Sequence, residues 1–112
     1  MKEGDIILTP LPQADGKTKL RPALLLRKMP GYDDYLVCGI SSKLHQHIEQ
    51  LDEVILEADV NYKQCCLKSP SLVRLGFLAI LPLKNIVGSI GMISKERHQR
   101  LLNNLASYLL KK

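Results

Sequence analysis

The sequence predicts a mainly β fold with helical additions, a small barrel of short strands closed by one terminal helix. Three observations carry this. Short apolar runs, separated by proline, glycine and polar residues, recur from Asp5 to Pro82. The run Ala23-Leu24-Leu25-Leu26 is apolar at consecutive positions, which marks a strand buried on both faces. A helical period emerges only near the end, where His98, Leu101, Leu102, Leu105 and Leu109 follow at i, i+3, i+4, i+7 and i+11. Short strands, long polar loops and a single terminal helix together indicate the barrel.

The elements follow in order. Asp5 to Thr9 reads as a strand stopped by Pro10-Leu11-Pro12, because proline offers no N–H to a ladder. Gln13 to Leu20 contains Asp15-Gly16 and reads as a loop or a wide hairpin connection. Ala23 to Arg27 is the doubly buried strand, broken by Met29-Pro30-Gly31, and Asp34 to Ile40 makes the next one. Ser42 to Asp52 is polar and reads as a second long loop, before a short strand at Val54-Ile55-Leu56. A helical turn is expected within Asn61 to Pro70. Leu72 to Leu75 and Phe77 to Leu81 then form the last strand, ended by Pro82. Lys84 to Val87 has the length of one helical turn. Ser94 is the expected N-cap of the terminal helix, with Ile93 placed as a hydrophobic staple.

A chain of 112 residues supports one core, so residues 1–112 are expected to form a single domain. No apolar stretch approaches the length that spans a bilayer, and the start Met1-Lys2-Glu3-Gly4-Asp5 lacks the apolar segment of a signal peptide. A cytoplasmic protein with no membrane association is expected. Cys38, Cys65 and Cys66 are odd in number and two are adjacent, which suits reduced thiols. His45-x-His47 with distant cysteines does not have the spacing of a zinc site, so neither a metal nor another cofactor is expected.

The net charge of +5 is unevenly distributed. Residues 1–59 hold seven Lys/Arg against ten Asp/Glu, whereas residues 60–112 hold nine Lys/Arg against Glu96 alone. A basic half suits a polyanion such as RNA or the acidic tail of a partner protein, although a solubilising surface would have the same composition. One Phe, four Tyr and no Trp argue against a stacking platform of the single-strand-binding kind. RNA handled by this chain is expected to meet mainly cationic and hydroxyl groups.

Arg21-Pro22 stands at the mouth of the apolar run. Proline holds its predecessor out of the α region, so Arg21 is expected to be extended at a strand entrance. Its planar guanidinium suits phosphate. Around it lie Gly4-Asp5-Ile6-Ile7-Leu8, Pro10-Leu11-Pro12, Lys19-Leu20-Arg21-Pro22-Ala23-Leu24-Leu25, Ile40-Ser41-Ser42, Leu67-Lys68-Ser69-Pro70-Ser71-Leu72-Val73-Arg74-Leu75 and Ile90-Gly91-Met92-Ile93-Ser94. With these six segments in this order, the chain resembles the PemK/MazF family of type II toxin–antitoxin endoribonucleases. The resemblance implies a five-stranded SH3-like barrel and a homodimer. It also implies metal-independent cleavage of single-stranded RNA, and a cognate antitoxin whose acidic, disordered tail covers the RNA groove.

The resemblance gives Arg21 the role of phosphate stabiliser and Ser41 that of a hydroxyl donor to a phosphate oxygen. Both are expected to be catalytic. Their plainer alternatives are an arginine paired with a loop carboxylate and a strand-end serine bonded to its own backbone. Ser42 competes with Ser41, since one residue of register reverses the face. Lys17, Lys19 and Lys43 flank the expected groove and suit non-specific phosphate contacts. Arg74 is expected to bind phosphate, with a salt bridge as its alternative. Gly76 stands where some relatives carry an aspartate proposed as the general base. His45 and His47 are the substitute bases, because imidazole titrates near neutrality, with two solvated loop histidines as the alternative.

His98 lies on the apolar helix stripe and is expected to pack or cap. Cys65-Cys66 occupies a segment where relatives often carry Ala-Gly, so small size is the expected requirement there. Two other functions fit the same barrel. A CcdB-like gyrase poison depends on a bulky aromatic in the terminal helix, which here ends Tyr108-Leu109-Leu110-Lys111-Lys112 with no Trp. A weak or catalytically silent RNA-binding relative is favoured by Gly76 and by serine in place of threonine.

Overall fold

The computed structural model describes residues 1–12 and 15–112. Six strands form one antiparallel sheet: β1 (Asp5–Pro12), β2 (Thr18–Lys28), β3 (Asp34–Ser41), β4 (Glu53–Ile55), β5 (Ser71–Pro82) and β6 (Gly88–Met92). Their order across the sheet is β4-β5-β3-β2-β1-β6, which curls as a half-barrel. A short helix α1 (Tyr62–Cys65) precedes β5, and the long helix α2 (Lys95–Leu110) closes the chain. No helix among the described residues is long and apolar enough to cross a membrane.

The doubly buried strand is where the sequence puts it. Leu24 and Leu26 face the α2 side with Ile6, Cys38, Val73, Leu75, Leu101 and Leu105. Ala23 and Leu25 face the other side with Ile7, Tyr35 and Val37. Leu24, Leu25 and Leu26 are each fully buried, and burial of one such side chain contributes roughly 2 kcal/mol.

Three expectations are corrected. Among the described residues the strand count is six, not five. Gly88–Met92 pairs with β1 although its glycines give it a weak strand signal. Gly91 is needed there, because a Cβ would overlap the main-chain carbonyl of Cys65 on α1.

The first two strands are also longer than expected. β1 runs through Pro10 to Pro12 and β2 begins at Thr18, so Lys19 lies in a strand opposite Leu11. Gln13 and Ala14 lie outside the described residues. Pro10, Pro12 and Pro22 occupy alternate rows of the β1–β2 ladder, those in which N–H groups point away from the partner strand. Outside β1 at those rows there is no β6, which stops at Leu8. Outside β2, pairing with β3 begins only at Ala23. The prolines therefore remove no ladder bond.

The third correction concerns α2. Ser94 is its N-cap, accepting the Arg97 N–H at 3.1 Å, and Ile93 is buried beside it. Leu101 and Leu105 are buried as expected, but Leu109 is 69% exposed because the last turn extends beyond the sheet. His98 Nε2–H donates to the Leu26 carbonyl at 2.8 Å, tying the helix to β2.

Candidate functional site

Strand register decides which of the candidate residues share a face. On β2, Arg21 alternates with Ala23, so it lies on the face opposite α2. Ala23 is paired with Gly39 of β3, and Gly39 with Arg74 of β5. Side chains directly across a ladder share a face, so Ala23, the Cα of Gly39 and Arg74 form one row. Ser41, two residues after Gly39, projects to the same face and is paired with Leu72. The β2–β3 register, carried past its last pair, sets Ser41 across from Arg21. Arg21, Ser41 and Arg74 thus occupy two adjacent rows on the face away from the helix. Arg21 is not at a strand entrance but inside β2, opposite Thr9 of β1.

Arg21 is exposed and Arg74 half-buried, and among the described residues neither is in an ion pair. The alternative of a structural salt bridge therefore has no partner for either arginine among the described residues. Ser41 Oγ accepts the Lys43 N–H at 3.1 Å, the local turn that serines favour, and its own proton is left to donate. Ser42 follows outside the strand and is exposed, as are Lys17, Lys19 and Lys43.

The loop after β3 is more ordered than its polar sequence suggests. Leu44–Gln46 makes a 3₁₀ turn, and the segment is anchored by Asp52. The Asp52 carboxylate is buried and accepts the Leu75 N–H at 3.0 Å and the Ile48 N–H at 3.1 Å. His47 Nε2–H donates to the Asp52 carbonyl at 3.0 Å, which leaves Nδ1 as the acceptor of the neutral ring. His45 is exposed.

Burial, and then the nearby Asp52 carboxylate, push the Cys38 thiol well above its ordinary range. Cys65 is pushed up as well, chiefly by burial, with Arg97 opposing. Neither is poised as a nucleophile. Cys66 is exposed and ends α1 at φ +56°.

The densest ionic cluster lies on the helix side. Arg97 donates to Glu53 at 2.9 Å, to the Val54 carbonyl at 3.2 Å and to Asp59 at 3.1 Å. Arg100 reaches Glu53 at 2.9 Å. The hydrogen bond to Glu53 holds the Arg100 guanidinium more firmly charged than usual. This cluster clamps α2 to β4, and composition gave no hint of which cations would be used internally. Two surface recesses flank it. One is lined by Tyr62, Cys65 and Arg97, the other by Gly4, Gln64 and His98, and neither includes Arg21, Ser41 or Arg74. Among the described residues no group of three or more His, Cys, Asp or Glu is arranged to hold a metal ion.

Comparison with solved structures finds the same fold in the Mycobacterium tuberculosis toxin MazF-mt6. The match has a TM-score of 0.68 and 18% identity, and covers 96% of this chain and 99% of that one. Comparison with curated proteins gives no significant sequence match. Residues 2–109 match the profile of the PemK-like, MazF-like toxins of type II toxin–antitoxin systems. A match over nearly the whole chain, on a MazF-like half-barrel, decides membership: the chain belongs to the PemK/MazF toxin family.

Proposed function

We propose that this protein is a metal-independent, sequence-preferring endoribonuclease that cleaves single-stranded RNA and so inhibits translation. The observation that supports it best is the convergence of Arg21, Ser41 and Arg74 on one face, two cations and a hydroxyl, with no carboxylate among the described residues in an ion pair with either arginine.

The substrate's 2′-OH attacks the adjacent phosphorus, the bond from phosphorus to the 5′ oxygen breaks, and that oxygen leaves with a proton from solvent. The ends are a 2′,3′-cyclic phosphate and a 5′-OH. Arg21 stabilises the charge that builds on the phosphorane, and Ser41 donates to a non-bridging oxygen. Arg74, with Lys17, Lys19, Ser42 and Lys43, holds the flanking phosphates. A proton must leave the 2′-OH, and Gly76 supplies no acceptor. His47 is the first candidate, because its ring is oriented and its Nδ1 is free to accept. His45 is the second.

Membership of the family implies an antitoxin partner. Its acidic, disordered tail and the homodimer belong to the proposal. Exposed Ile80, Leu83 and Val87, on and beyond the stretch of β5 that β4 leaves unpaired, offer apolar surface for a second copy.

The test is incubation of the purified protein with a mixed-sequence RNA in EDTA, followed by mapping of the ends. Cyclic phosphate ends at a recurring short sequence support the proposal, and their absence defeats it. Binding without cutting would favour the silent relative, for which the missing carboxylate at Gly76 is the specific observation.

A further inference from the structure

The face that carries Arg21, Ser41 and Arg74 also carries the chain's only phenylalanine, and β5 bends to put it there. Arg74 is paired with Gly39 of β3, but the next β5 residue paired with β3 is Leu78, opposite Cys38. Leu75, Gly76 and Phe77 lie between them as a bulge. In a regular strand, residues three apart project to opposite faces. The bulge changes that count, so Arg74 and Phe77 share a face while Leu75 between them is buried on the helix side.

Phe77 lies directly over Gly39. A Cβ built on Gly39 would sit 3.1 Å from Cδ1 of the ring and 3.4 Å from its Cβ and Cγ. Glycine is thus the floor that lets the ring settle against the sheet, over the row that Gly39 shares with Arg74. The ring is not consumed by the core, since Phe77 is 44% exposed and belongs to neither buried cluster. Gly76, beside it, has open space where a side chain would be.

We propose that Phe77 is the stacking surface for one base of the bound RNA, placed next to Arg74 so that a nucleotide is held by its phosphate and its ring together. The inference rests on the endoribonuclease proposal and adds to it a residue that influences base preference. Every base has a π-face, so stacking favours one position on the RNA strand and grades the bases without reading hydrogen bonds. The low aromatic content does not preclude this, because one ring serves one nucleotide.

The experiment is a cycle between residue 77 and the RNA. The cleavage site of the wild-type protein is mapped on mixed-sequence RNA, and kcat/KM is measured on a short RNA in which each base around that site is removed in turn. At one position the abasic RNA should lose roughly 10-fold, and Phe77→Leu on intact RNA should lose about the same. Phe77→Leu should be indifferent to the abasic substitution at that position alone, and Phe77→Tyr should restore the wild-type pattern. Gly39→Ala, which lifts the ring, should weaken the same position.

An abasic profile identical in wild type and Phe77→Leu overturns the proposal, as does a change in oligomeric state with no change in that profile. The latter would make Phe77 a contact between copies. If the wild-type protein neither cuts nor binds the mixed RNA, the endoribonuclease proposal itself has failed.

Discussion

The buried carboxylate of Asp52 accepts the main-chain N–H of Leu75 at 3.0 Å, the residue that follows Arg74 on β5. Its second oxygen accepts the Ile48 N–H, so one side chain binds the loop after β3 to the strand that carries Arg74. Asp52→Ala leaves two N–H groups without an acceptor and is expected to cost about 3 kcal/mol. Asp52→Asn keeps one acceptor oxygen and should cost less. Urea unfolding of the three proteins measures the order, and an Asp52→Ala loss below that of Asp52→Asn would refute it.

Arg21→Ala should lower kcat by about 100-fold or more, since it removes the principal charge donor at the phosphorane. Arg21→Lys keeps the charge but not the planar fork, and should recover only part of the rate. Because Arg21 is exposed, both variants should unfold at the wild-type urea concentration. Kinetics on RNA beside an unfolding curve separates a lost group from a lost fold.

Arg97 and Arg100 both reach Glu53, yet their substitutions should differ widely. The Arg97 side chain is 15% exposed and spans Glu53, Val54 and Asp59, so Arg97→Ala takes the cation from three part-buried acceptors, of which only Glu53 keeps another in Arg100, at an expected cost of about 2 kcal/mol. Arg100 is 54% exposed, and screening by solvent should hold Arg100→Ala below about 1 kcal/mol. Equal losses in denaturant unfolding would contradict the burial argument.

Cys66→Gly should stabilise the protein by about 1 kcal/mol. The residue sits in the left-handed region at φ +56°, where a Cβ is crowded and glycine is not. The same variant should abolish labelling of the folded protein by a thiol reagent near pH 8. Cys38 and Cys65 are buried and their thiols are pushed toward the protonated form, so they should react only after unfolding. Mass spectrometry of native and denatured samples counts the labels.

Local chemistry was legible where it repeats. The unbroken apolar run at Ala23 to Leu26 announces two buried faces, and Ser94 with the spaced leucines announces α2. β6 was not legible because Gly91 is required by contact with α1, a demand from a segment distant in sequence. The length of β1 was hidden by prolines whose harm depends on which neighbour is absent. In the same way, Arg21 and Ser41 could be named from their motifs, but their common face follows from pairing. Phe77 could not be found, because the bulge that turns it toward Arg74 is a property of two strands together. Asp52 carried no signal at all, being one acid in a polar loop. For Cys66, the backbone angle explains a preference for glycine that small size does not.

The clamp of Glu53 and Asp59 on Arg97 and Arg100 joins residues 38 to 47 positions apart, acids from residues 1–59 and cations from residues 60–112. Before any strand has formed, those two halves carry opposite net charge and attract over about 10 Å in ordinary buffer. Long-range closure, the slow event for a fold built from non-local strand pairs, therefore begins with a bias toward the native side. The uneven charge of the sequence also acts on the path to the fold, and added salt should slow refolding more than it destabilises the folded protein.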